Sequence, residues 1–216
     1  QFKKWTLNEI IIHLHFWNRA ADLLMKDPDA FQNFWNELSL KSVRSGLRNY
    51  ENTMSPERGP ELLAVWQEGF RDMASRWKDL DPKLRIQWAG PDMSIRSSIT
   101  ARQMETWAHG QAVFDLLGQV RTETDRIQNI VVLSVNTFSW SFKVHGLEVS
   151  EEMPFLKLSS PSAEEWEFGN KNSENVIQGS AVEFCRVVTQ TRNILDTSLS
   201  VNGDTALQWM SIAQCF

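Results

Sequence analysis

Three prolines partition the first half of the chain, and each follows a residue able to cap a helix: Asp27-Pro28, Ser55-Pro56 and Asp81-Pro82. Proline breaks a helix interior but is favoured in a first turn, so such pairs mark helix boundaries. Between them apolar residues recur at helical spacing. Thr6-Leu-Asn-Glu9 is a capping box, and the helix it opens carries Leu7, Ile10, Ile11, Leu14, Trp17, Ala21, Leu24 and Met25 on one stripe. Asp27-Pro28 starts a second helix with Phe31, Phe34, Trp35 and Leu38 on its apolar face. Ser55-Pro56-Glu57 reads as the start of a third, with Leu62, Leu63, Trp66, Phe70, Met73, Trp77 and Leu80 inward, ended by Asp81-Pro82. Trp88 to Met93 is a loop by its glycine and proline. A helix through Ala101–Ala112 follows, terminated by Gly118, and Thr124-Asp125 caps a last long helix running from Ile127 towards Trp140. Helices with wide apolar faces and modest loops predict an antiparallel bundle.

The pattern changes near Gly146. Ser150 to Pro154 reads as a linker, after which Phe155-Leu-Lys-Leu158 and Glu165-Trp-Glu-Phe168 alternate like short strands. Ser180 stands as the N-cap of a helix through Phe184, Val187 and Val188. Ser198-Leu-Ser-Val201 reads as a further strand turning at Asn202-Gly203-Asp204, and Thr205–Ala213 as a final helix. The expected architecture is therefore α plus α+β: a helical bundle over residues 1–147 and a small α+β domain over 148–216. Both ends read as cut, since Gln1 lies only a few residues before a helix start and Cys215-Phe216 follows an uncapped apolar pattern.

Composition narrows the function. The net charge is −5 and basic residues do not cluster, which argues against a nucleic-acid surface. No apolar run reaches the length of a membrane span. Cys185 and Cys215 are far apart and in no metal-ligand spacing, which fits a reduced, cytoplasmic protein. The ten tryptophans are spread along the whole chain, as core anchors would be. No Ser–His–Asp arrangement, phosphate loop or dinucleotide fingerprint is present.

The chemistry concentrates in Ala101-Arg-Gln-Met-Glu105-Thr-Trp-Ala-His109-Gly-Gln-Ala112. Four residues apart on a helix, Glu105 and His109 share a face with Ser98, Ala101, Ala108, Ala112 and Leu116. A carboxylate on an interior-facing stripe needs compensation, from a hydrogen bond with the histidine or from a metal ion. An open metal site needs a third protein ligand, for which the first helix offers His13 and His15 on opposite edges of its stripe. His145, beside Gly146, is expected to be solvated. Arg96, Arg102 and Arg192 are the candidate clamps for a substrate carboxylate, with a solvated surface arginine as the plain alternative for each. Cys185 reads as a buried spectator.

Trp5-Thr-Leu-Asn-Glu-Ile-Ile-Ile-His13-Leu14 resembles the W-T-V-x-D-x-x-x-H-L segment of the DinB-like, mycothiol-dependent maleylpyruvate isomerase superfamily. Gly90 to Gly110 resembles the second ligand segment of that family. Trp166-x-Phe-Gly, Gly179-Ser-Ala-Val-Glu-Phe and Trp209-x-x-Ile-Ala-Gln resemble the second domain of its metal-binding branch. The resemblance implies a DinB-like bundle whose metal ligands are His13, Glu105 and His109, with His15 a spectator. It implies zinc, or nickel or iron as in related bundles, and an open position for water or a low-molecular-weight thiol such as mycothiol. The implied activity is thiol-dependent isomerisation or S-transfer on an electrophilic or carboxylate small molecule; for binding such a substrate, Arg192 and Arg96 are the candidates that the residues themselves offer. The competing expectation is a non-catalytic module that binds a metal or a small ligand. This sequence departs from the family at Gln111-Ala112, where relatives often carry an acid. Relatives carry a further helix before the tryptophan and a glycine- and proline-rich tail, neither of which falls between Gln1 and Phe216; if the chain starts at Gln1, an exposed apolar flank is expected, with a monomer or homodimer as the assembly.

Overall fold

Thr6 begins the first helix as its sequence requires: the hydroxyl accepts from the Glu9 amide while the Glu9 carboxylate accepts from the Thr6 amide. In the computed structural model, which describes residues 4–88 and 92–215, this helix, α1, spans Leu7–Lys26. Asp27 caps its successor, accepting from the Ala30 amide, and Pro28 occupies the first turn of α2 (Pro28–Ser45). A short helix, α3 (Leu47–Met54), follows and has no counterpart in the sequence reading. The Ser55-Pro56 signal is accordingly corrected. Ser55 closes α3, and α4 (Gly59–Trp77) begins four residues later, with Arg58 as its cap. Helix α1 packs against α2, α3 and α4. Their core joins Ala20, Ala21, Leu24, Phe31, Met73, Trp77, Ile86 and Ile95. Leu63, expected inward, is exposed.

Beyond α4 a two-stranded antiparallel ribbon, β1 (Arg85–Ile86) and β2 (Met93–Ser94), leads into α5 (Ile95–Leu117). Residues 89–91, including the Gly90-Pro91 start of the second ligand segment, lie outside the described residues, as do Gln1–Lys3 and Phe216. Gly118, at φ +62°, ends α5 as expected. The single long helix expected after Thr124 is instead three pieces: a 3-10 turn at Asp125–Ile127, α6 (Gln128–Asn136) and α7 (Phe138–Val144). At Thr137, between the last two, the hydroxyl donates to the Leu133 carbonyl and competes with helix continuation.

The last third forms one mixed sheet with helices. Its strands are β3 (Phe155–Ser159), β4 (Glu165–Phe168), β5 (Val176–Ser180) and β6 (Ser200–Asn202), in the order β4-β3-β5-β6. Strand β3 pairs antiparallel with β4, with Leu158 opposite Trp166, and parallel with β5, with Leu156 opposite Ile177. Helix α8 (Ala181–Val188) packs on β3 and β5, and α9 (Asp204–Ile212) packs against α7 and β6. Trp209 is the hub of this core, edge-on to both Phe138 and Phe184. By contacts the chain forms two compact units, residues 1–106 and 107–216. No helix among the described residues is long and apolar enough to cross a membrane.

Candidate metal centre

Helix α5 supplies Glu105 and His109 from successive turns of one face. The face is more mixed than its small residues suggest: Ser98 and Ala108 are buried, but Leu116 is exposed. Helix α1 supplies His13, seven residues after its cap. One ligand atom from each of His13, Glu105 and His109 lies within 4.8 Å of the others, and among the described residues this is the one such His/Cys/Asp/Glu cluster. His13 Nε2 stands 3.5 Å from Glu105 Oε2. His109 is buried, while His13 and Glu105 are partly so.

The other ring nitrogen of His13 meets a residue that sequence reasoning missed. Nδ1 lies 2.9 Å from Oε1 of Glu51, a fully buried carboxylate on α3. The same oxygen accepts from Trp17 Nε1 at 3.0 Å. Oε2 faces Arg48, whose guanidinium lies 3.4 Å over the Trp5 ring and donates to the Glu9 carbonyl. Trp5 and Trp17 flank the His13 ring, at 5.3 and 6.3 Å between centroids. Burial pushes the His13 pKa down, but the hydrogen bonds and charges of Glu105 and Glu51 outweigh it, so the net shift is upward. A sequence signal for Glu51 did exist: Arg48 and Glu51 stand three apart beside the apolar Leu47 and Tyr50, between Gly46 and Ser55-Pro56.

His15, two residues on, faces α4. It packs where Gly69 leaves room, and burial together with the nearby Arg19 charge lowers its pKa. It has no place in the cluster. His145 is exposed at the end of α7, its Nδ1 on the Ser141 carbonyl. Cys185 is buried against the Ile127 carbonyl, and its thiol pKa is pushed well up by burial.

The arginines lie at different heights along α5. Arg96 is exposed, nine residues or about 13 Å of helix rise before Glu105. Arg192 is held by both oxygens of Asp115, at 2.9 and 3.0 Å, and Asp115 lies about 9 Å of rise beyond His109. Arg102 is half-buried three residues before Glu105, with its guanidinium 5.7 Å from the Trp88 ring centre. Burial lowers its pKa, opposed by the Glu105 charge. Gln111, where relatives often carry an acid, is buried; it donates to Asp115 at 2.8 Å and accepts from Arg186 at 3.5 Å.

Comparison with known proteins identifies the family and the fold. An uncharacterized protein of Mycobacterium tuberculosis, present in strains H37Rv and CDC 1551, is 32% identical over 212 residues, covering 98% of this chain and 82% of the relative. The crystal structure of the mycothiol-dependent maleylpyruvate isomerase has the same fold, with a TM-score of 0.50 at 18% identity over 85% of this chain and 73% of that one. The family described as "Mycothiol maleylpyruvate isomerase N-terminal domain" matches residues 1–114. The chain belongs to that family.

Proposed function

We propose that this protein binds a divalent cation, zinc first, through His13, Glu105 and His109, and uses it to activate a low-molecular-weight thiol. The observation that carries the reading is the convergence of the three ligand atoms within 4.8 Å. Two imidazoles and one carboxylate suit zinc, with nickel and iron as the alternatives. Three protein ligands leave a further position for water or a thiol. A divalent ion with one carboxylate and two neutral histidines carries a net charge of about +1, which an anionic fourth ligand would balance. The cation would supply charge that lowers the pKa of a bound thiol and so favours a thiolate at neutral pH.

The chain's own residues have separate tasks in this scheme. Glu105 and His109 are held at a set spacing by one helix, and His13 is brought in from α1. Arg102, on the same face as Glu105, is the arginine best disposed to meet a substrate carboxylate; Arg96 would have to act from the start of α5, and Arg192 from beside Asp115. The reaction proposed is thiol-dependent isomerisation of an activated double bond, or transfer of the thiol to an electrophile. The name of the structurally similar isomerase supports the first, and mycothiol is the thiol that its name suggests. A second reading, a metal-binding module without catalysis, is favoured by the pairing of Arg192 with Asp115, which takes up the cation expected to clamp substrate.

Elemental analysis of the purified protein beside His13→Ala and His109→Ala tests the centre. About one metal per chain is expected in the wild type, with loss in both variants. Folded wild type without stoichiometric metal would sink the thiol-activation reading. Metal without turnover of any thiol and electrophile pair would leave the binding module.

A further inference from the structure

A carboxylate that is completely buried, as Glu51 is, requires every one of its interactions to be accounted for. Its charge is met by Arg48, which is itself immobilised by the Trp5 ring and the Glu9 carbonyl. Trp17 donates to Oε1. Oε1 also reaches His13 Nδ1 at 2.9 Å. A carboxylate can only accept, so Nδ1 carries the proton and Nε2 is the nitrogen turned to Glu105. The ring plane is constrained by the same bond and by the flanking Trp5 and Trp17 rings.

We infer that Glu51 is a positioning residue for the metal centre. It fixes the tautomer and orientation of His13 and raises the basicity of Nε2 towards a cation. This inference rests on the reading of His13, Glu105 and His109 as metal ligands. Two local pairs build the device: His13 and Trp17 stand one turn apart on α1, Arg48 and Glu51 one turn apart on α3, and each pair completes the other. Trp5 gains a specific task as well, since it stacks on Arg48 and packs against His13. A ligating histidine whose second nitrogen donates to a carboxylate is a recurring way of tuning a metal site, and removing such a partner lowers affinity about 10–100-fold.

Cobalt titration of the metal-free protein, read by visible absorption, is the test. It compares wild type with Glu51→Gln, which removes the charge, and Glu51→Asp, which keeps the charge but withdraws the oxygens from His13. Thermal melts of the metal-free proteins run alongside. Both variants are expected to bind cobalt about 10–100-fold more weakly than wild type while folded. If Glu51→Gln does not fold, Glu51→Asp decides. Wild-type affinity in a folded variant, even one with a lowered melting temperature, would reduce Glu51 to a structural role and overturn the inference. Wild type that takes up no cobalt would overturn the metal centre itself, and Glu51's task with it. Long-range proton–nitrogen spectra of the zinc-loaded wild type give a second readout: Nδ1 of His13 is expected to be protonated, and zinc on Nδ1 would overturn the inference.

Discussion

Two histidines two residues apart on α1 meet opposite surroundings. His13 lies among carboxylates and its pKa rises; His15 lies against α4 and its pKa falls. Periodicity alone left both open as ligands, because each flanks the apolar stripe, and only the resemblance to the family chose between them. The distinguishing partner, Glu51, comes from another helix 38 residues away, and its meeting with His13 is not a local pattern. A third polar group on α1 shows the energetics plainly. Asp22 is buried, which by itself raises its pKa, but Arg76 at 2.6 Å and Lys26 at 2.7 Å outweigh burial and bring it below the ordinary aspartate value. The folded state therefore binds this proton less readily than the unfolded chain, whose aspartates titrate near about pH 3.9. The stabilisation is complete above that value and is lost as pH falls through the lower, folded pKa. Asp22→Asn is expected to cost about 1 kcal/mol at pH 7, since Arg76 is partly exposed, and to flatten the acid limb of stability below about pH 4. Urea midpoints of both proteins at stepped pH check this.

At the scale of elements, caps were readable where the residue type announced them, with a side-chain hydrogen bond at Thr6 and Asp27 and without one at Thr124 and Ser180. Thr6 and Asp27 announce α1 and α2 because their side chains satisfy orphaned amides. Ser55-Pro56 looks alike in sequence, but Ser55 is buried at the end of α3. Helix α3 itself has only eight residues, too few for its stripe to repeat. Two glycines give opposite expectations for one substitution. At Gly69, inside α4, an added Cβ would lie 3.4 Å from His15 Cε1, an ordinary contact. Gly69→Ala is expected to stabilise by about 0.5–1 kcal/mol through reduced backbone freedom in the unfolded chain. At Gly203, φ is +89° and a Cβ would lie 2.9 Å from the Asn175 Cα. The Asn175 side chain accepts from the Thr205 amide at the start of α9, so the clash would disturb that contact too. Gly203→Ala is expected to destabilise by about 1–3 kcal/mol from the backbone strain alone. Thermal melts of the two variants should move in opposite directions.

At the scale of the whole molecule, the composition change near Gly146 and the division by contacts at Thr106/Trp107 mark different things. The first records where the alternation of strands begins; the second falls inside α5, a helix continuous in sequence and hydrogen bonding. If the ligand set holds zinc, binding must add to stability, because the unfolded chain cannot hold His13 beside Glu105 and His109. Free zinc at about 100 times its dissociation constant would add about 2.7 kcal/mol. The melting temperature is expected to rise with zinc, to return on chelation, and to be insensitive to zinc in His109→Ala. Scanning calorimetry over a zinc series checks it. What the sequence determined by itself was whatever depends on neighbours within a turn or a strand: the faces of α1, α2 and α4, the strands around Leu158 and Trp166, and the pairing of Glu105 with His109. These follow from periods of 3.6 and 2 that any local window contains. Only the tertiary structure decided that Glu51 meets His13 and that Arg192 is spent on Asp115. These join residues 38 and 77 positions apart. No periodicity encodes contacts of that kind.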